Sequence, residues 1–432
     1  MRYKSFLTLA MAGIATIMAS QGVFAEEAAK PALNTGDTAW LLISSALVLL
    51  MLPGLALFYG GMVRSKNVLS TMMHSFVVMG IIAVQWIVVG YTIGFGKSEN
   101  GFFGGLDKLM MGGITIDSLS NSVPEFIFAM FQAMFAIITI ALISGAVAER
   151  IKFSAYCLFA LLWSTLVYDP IAHWVWGGGW LSKLAPAALD FAGGTVVHLS
   201  SGISAMALIM FLGKRHGFPS ERMAPHSLPL TLLGTGLLWF GWYGFNAGSA
   251  LGANGTAALA FTTTTVAPAA AGLTWMFAEW IHSGKPSALG FASGIVAGLV
   301  AITPAAGFVT PGWALVIGGC AGVICYLAVL LKARLRYDDS LDAFGIHGVG
   351  GAFGAIATGA FATVGATGLI AGNGAQFVSQ IIAVVAAGAY AFIVTCVLAF
   401  IMDKTVGLRV DKEDEIMGLD QTQHSESAYN LF

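Results

Sequence analysis

Between residues 38 and 402 the chain is a succession of long apolar runs with no Lys or Arg in the middle of any of them. The runs span 38–61, 69–95, 123–148, 153–171, 191–213, 228–247, 257–281, 288–308, 312–335, 343–362 and 376–402. A helix needs ~20 apolar residues to cross the hydrocarbon of a bilayer, so the pattern reads as eleven membrane-spanning helices. Only 10% of residues are charged and 57% are hydrophobic, whereas a soluble domain carries about 25% charge. No packed soluble fold hides that much apolar surface, and the lipid bilayer is the expected surrounding. The net charge of −2 gives no reason to expect a nucleic-acid partner.

The 54 glycines are dispersed rather than clustered. Small residues let helices approach closely in lipid, and Gly290, Gly294 and Gly298 form a doubled small-xxx-small spacing of that kind. Cys157, Cys320, Cys325 and Cys396 all lie in apolar runs without a CxxC partner and read as small core residues. Ahead of the first run, Arg2 and Lys4 precede an apolar stretch to Met18, and Val23-Phe24-Ala25 leads into Glu26-Glu27. That is the layout of a signal peptide, 1–25, cut after Ala25. A membrane domain, 26–402, and a tail, 403–432, follow.

Basic residues orient the chain. With the mature N-terminus outside, the inner segments carry Arg64, Lys66, Arg150, Lys152, Lys214, Arg215, Arg222, Lys285, Lys332, Arg334, Arg336, Lys404, Arg409 and Lys412. The outer segments carry only Lys30, Lys97, Lys108 and Lys183. The expected topology has a periplasmic N-terminus and a cytoplasmic tail in a bacterial inner membrane.

Two histidines then stand out. His198 ends Asp190-Phe-Ala-Gly-Gly-Thr-Val-Val-His198, and His347 ends Asp342-Ala-Phe-Gly-Ile-His347. At the helical rise they lie ~12 Å and ~7.5 Å from those acids, and half a bilayer core is ~15 Å. The fifth span is entered from outside and the tenth from inside, so both imidazoles approach the midplane from opposite faces. Five spans followed by five more run in opposite senses, as in inverted repeats with a substrate path at their interface. The eleventh helix stands outside that symmetry. Ionisable groups at such depth mark a pore or proton path. Two histidines supply too few ligands for zinc, and no nucleophile flanks them, so neither a metal site, a cofactor nor an enzyme is expected.

Other residues invite plainer readings. Asp190 and Asp342 each precede a helix and suit an N-terminal cap. His74, Glu279 and Glu149-Arg150 lie near span ends and read as structural or interfacial. Trp174 and Trp180 fit an interfacial aromatic belt. Phe131 and Phe135 share one helix face and read as lipid-facing or core-packing residues.

The sequence closely resembles the ammonium transporter family (Amt/Mep/Rh), its bacterial AmtB branch most of all. Asp190–His198, Pro53-Gly-Leu-Ala-Leu-Phe-Tyr-Gly-Gly61, Gly145-Ala-Val-Ala-Glu-Arg150, Gly241-Trp-Tyr-Gly-Phe-Asn-Ala-Gly-Ser249 and Phe344-Gly-Ile-His-Gly-Val-Gly350 carry the likeness. It implies an all-α integral membrane protein of eleven transmembrane helices, two inverted five-helix repeats plus a C-terminal eleventh. Family members are homotrimers with one pore per subunit. By resemblance, Trp176, Ser249 and Phe135 match an outer recruitment site for ammonium, for which methylammonium is an analogue. Phe135 and Phe245 match the pore gate, His198 and His347 the twin histidines, Trp242 a pore-lining aromatic, and Asp190 a buried acid supporting the substrate site. Gly407–Asp411 and Gly418–Asp420 resemble the family's tail, which couples the trimer and docks a PII-type signal protein. Ser425 replaces the usual glycine there. Asp169, where an apolar residue is usual, is expected near the outer mouth, enriching cations. Two alternatives stay open: an ammonium receptor signalling with little flux, and an Rh-type gas channel.

Overall fold

The computed structural model describes residues 32–429, so the expected signal peptide lies outside the described residues. Eleven helical rods follow one another: α1 Thr35–Met62, α2 Ser65–Phe95, α3 Glu125–Val147, α4 Phe153–Val175, α5 Gly194–Leu212, α6 Leu228–Gly248, α7 Gly255–Ser283, α8 Ala288–Ile302, α9 Pro311–Leu335, α10 Phe344–Phe361 and α11 Gly374–Thr405. Nine of these are long and apolar enough to cross a membrane. The other two are α6, diluted by five glycines, and α8, only 15 residues long. The chain is a multi-pass helical membrane protein. Among the described residues the strands are one short hairpin, β1 Leu119–Ser120 and β2 Val123–Pro124, ahead of α3.

The two halves pack about equivalent helices. α1 and α6 run antiparallel along their whole length, with Ser44 beside Gly248, Gly54 beside Leu238 and Gly61 beside Thr231. The Gly290, Gly294 and Gly298 spacing does bring helices together, since it lays α8 on Glu279, Trp275, Ala271 and Pro268 of α7. Apolar side chains such as Leu42, Ile281 and Val385 point outward, as they must where lipid is the solvent. α11 is the rod least covered by protein, consistent with its place outside the paired halves.

At one end of the bundle the helices rest on a buried charge network. Glu149 accepts from Arg64 and Asn67 and pairs with Arg215, which also grips Asp338. Arg150 donates to the Gly213 and Asp338 carbonyls and to Ser340. Burial alone would raise the Glu149 carboxyl, but Arg215 and Arg64 hold it below the usual carboxylate range. Glu149-Arg150 is thus a structural hub, as its position suggested. The tail docks on this end. Leu408 and Arg150 carbonyls accept from Lys152 and Val410, and two short helices follow, α12 Lys412–Met417 and α13 Leu419–His424. Asp420 accepts from the Ser70 N–H at 2.8 Å, capping α2 from the far end of the sequence.

Candidate functional site

The site begins where α5 and α10 cross at mid-depth. Gly202 of α5 lies on Gly348 of α10 so closely that an added Cβ would fall 2.8 Å from the His347 carbonyl carbon, and nearer still to Gly348. Backbone contact at this point brings His198 and His347 together. Each histidine sits in a π-helical turn, Gly194–Leu199 and Phe344–Gly348, and such turns re-aim side chains at functional sites. The α5 turn hangs on Asp190, whose two oxygens accept from the N–H groups of Gly193, Gly194, Thr195 and Val196 at 2.6–3.0 Å.

The matching acid on α10 is not Asp342. Asp339 accepts from the Ala343 and Phe344 N–H groups. Asp342 instead has a left-handed backbone, φ 62°, and pairs with Lys332. Asp339, four and five residues ahead of these N–H groups, lets its carboxylate curl back over them; Asp342, two residues ahead of Phe344, turns away to Lys332. Burial pushes the Asp339 carboxyl above the usual range, with the Lys332 ammonium opposing it in part. The pseudo-symmetry is tighter than the Asp342 reading suggested. Asp190 precedes His198 by eight residues, and Asp339 precedes His347 by eight.

The imidazoles meet Nδ1 to Nδ1 at 3.3 Å. Two donors cannot face each other, so one Nδ1 carries hydrogen and the other accepts. The rings are therefore opposite tautomers when both are neutral. His198 stacks on Trp242 at 5.4 Å, and Trp242 donates to the Thr303 hydroxyl at 2.9 Å. Above them the Phe135 and Phe245 rings stack at 4.2 Å between centroids. Beneath the stack is a narrow lumen lined by both histidines, Trp242 and apolar side chains such as Leu55 and Ile138. Its free volume is about 10 Å³, on the order of one water-sized sphere.

On the other side of the Phe stack, at the bundle end away from the tail, opens a chamber of about 550 Å³. Trp176, Ser249, Phe131, Phe135 and Gln132 line it. Trp176 is anchored by donating to the Asp190 carbonyl at 2.8 Å and meets Phe135 edge-on at 5.8 Å. Ser249 donates its hydroxyl proton to the Phe245 carbonyl at 2.8 Å. Its oxygen therefore faces the chamber as an acceptor only.

Residues 39–429 match the family model described as the Ammonium Transporter Family. The chain belongs to the ammonium transporter family. It is 50% identical over 400 residues to the ammonium transporter Amt1 of Archaeoglobus fulgidus, covering 92% of this chain and all of that one. The ammonium transporter of Bacillus subtilis is likewise 50% identical, with 92% and 99% covered. Among solved structures, Mep2 of Saccharomyces cerevisiae superposes with TM-score 0.82 at 38% identity, covering 88% and 89% of the two chains. A sensor Amt protein superposes with TM-score 0.83 at 31% identity, over 90% and 98%.

Within this family member the residues singled out in sequence converge on one axis: Trp176 and Ser249 in the chamber, Phe135 and Phe245 below it, then Trp242, His198 and His347. Asp190 lies behind the chamber wall, its carboxylate fully engaged by α5. Phe131 is a chamber residue in edge-on contact with Phe135 at 4.9 Å, not merely packing. Trp174 is buried, donating to the Phe102 carbonyl and packed on Trp180 and Tyr390, rather than part of an exposed belt. Asp169 is also placed differently from expectation. It is fully buried between α2 and α4, where Gln85 donates to it at 2.7 Å, so its charge does not face the mouth. Sequence reasoning passed over Asp339, whose signal was the repeated eight-residue spacing. It also passed over His173, whose Nδ1 bonds the Gly94 carbonyl and pins the end of α4 that carries Trp176.

Proposed function

We propose that the protein moves ammonium nitrogen across a bacterial inner membrane, with the chamber on the outer face and the tail in the cytoplasm. Ammonium enters the chamber, where Trp176 and Phe135 attract it by cation–π contacts worth ~0.5–2 kcal/mol each. The Ser249 oxygen accepts one N–H. Potassium has the charge but no N–H to offer, so an acceptor-only hydroxyl favours ammonium. Beyond the Phe135–Phe245 stack there is no room for a hydration shell. A bare cation there meets a desolvation cost that ammonia escapes by leaving its proton behind. Neutral ammonia then passes the two rings and hydrogen-bonds to the coupled imidazoles, which either relay the released proton or act as a filter against cations. Asp190 supports this arrangement by holding the His198 turn and, through its carbonyl, Trp176.

The observation that carries the reading is the His198–His347 pair in a narrow, mostly apolar lumen directly beneath stacked phenylalanines. We extend the family pattern to a homotrimer with a pore per subunit and to a PII-type protein docking on the cytoplasmic face beside the tail. The likeness to a sensor Amt protein favours one rival, an ammonium receptor with little flux. Reconstituted vesicles separate the two. The purified protein should drive methylammonium uptake and an ammonium-dependent current or pH change. His198→Ala should lose uptake or its selectivity while remaining folded. Binding without flux would replace transport by reception, and selective uptake by His198→Ala at the unmutated rate would end the histidine role.

A further inference from the structure

The outer chamber already contains one ammonium group, that of Lys108. This lysine lies on the segment between α2 and α3, its backbone N–H fixed to the Thr92 hydroxyl at 3.1 Å. Its Nζ lies over the Tyr91 ring, 5.3 Å from the centroid, and pairs with Glu125. Tyr91 donates its hydroxyl to Glu125 Oε1 at 2.9 Å, so the ring and the carboxylate form one unit. Tyr91 is itself buried and held between Trp86 and Phe95. All three residues line the same chamber as Trp176 and Ser249, yet none of them takes part in the path described above.

A lysine terminus is chemically a primary alkylammonium on a tether. An aromatic face plus a carboxylate is what a small ammonium ion needs, namely cation–π attraction and a charged acceptor. We propose that Tyr91 and Glu125 form a second cation station in the outer chamber, which free ammonium or methylammonium occupies when Lys108 swings away. This rests on the transport reading. The tether gives Lys108 a high effective concentration at the station, so the lysine acts as a built-in competitor that weakens capture at low substrate. The Lys108 side chain is 26% exposed, leaving it a solvated position to move to.

Methylammonium uptake into vesicles tests this through KM and Vmax. Lys108→Met should lower KM roughly three- to tenfold with Vmax little changed, because the station is freed while the lumen is untouched. Glu125→Gln added to Lys108→Met should remove that gain. An unchanged KM in a folded Lys108→Met protein overturns the proposal. So does a lowered KM that survives in the double variant, which would mean that only the lysine's repulsion had been removed. If Lys108→Met fails to fold, Lys108→Gln carries the same expectation and the same refutation. Failure of the transport reading shows separately, as absent uptake by the unmutated protein.

Discussion

Replacing Asp190 by asparagine tests how the histidine site is built. The carboxylate receives four backbone N–H bonds, two on each oxygen, at 2.6–3.0 Å. An asparagine keeps one oxygen and turns an NH₂ toward the other two N–H groups, placing donor against donor. Two bonds to a charged acceptor are lost, each worth about 1.5–3 kcal/mol, so the cost is roughly 3–6 kcal/mol. That exceeds what a single cap contributes, about 0.5–2 kcal/mol, because Asp190 is 8% exposed and little water reaches the orphaned groups. The π turn carrying His198 should loosen, and with it the carbonyl that anchors Trp176. Thermal unfolding of the purified protein in detergent should begin several degrees lower, and methylammonium uptake should fall at least tenfold. Asp190→Asn with the unmutated unfolding temperature and rate would refute the idea that these four bonds set the histidine's position.

Further expectations follow from the same packing. Gly202→Ala should destabilise by about 1–3 kcal/mol or prevent folding, because its methyl would enter the α10 backbone; unfolding midpoints check this. Glu149 and Asp338 both have depressed pKa values in the fold: burial opposes this, but Arg215 with Arg64 at Glu149, and Arg215 with Arg150 at Asp338, together outweigh it. Their contribution is therefore complete above the ordinary values of 4.5 and 3.8 and is lost as pH falls through the lower folded values. Stability measured downward from pH 7 should break below about pH 4.5, and Glu149→Gln should flatten that slope. Asp420→Ala should cost about 0.5–2 kcal/mol at the start of α2 and speed proteolysis of the tail; an unchanged cleavage rate would show that the cap does not hold it.

Much of this architecture was legible in the chain because lipid imposes a simple code. Every span must be apolar and of set length, so the run pattern located the rods to within about six residues, the largest miss being the end of α8 at Ile302. The histidines were legible for the same reason: a titratable ring in an uncharged run has no cheap structural explanation. Asp339 was passed over because Asp342 is nearer to His347 in sequence. A cap is chosen by which carboxylate can curl back onto free N–H groups, and that depends on the loop's backbone, where Asp342 takes a left-handed conformation. Asp169 was misplaced because its partner Gln85 is 84 residues away, and only helix packing makes them neighbours.

The sequence by itself determined that the chain is a bundle of membrane helices with two ionisable rings at similar depth in oppositely directed halves. Tertiary structure alone decided that the rings touch, 149 residues apart, at 3.3 Å. Periodicity and hydropathy act along one helix and fix its length and depth. Contact between helices depends on how closely two backbones approach, and here that rests on Gly202 and Gly348 meeting at a crossing that no run of residues specifies alone.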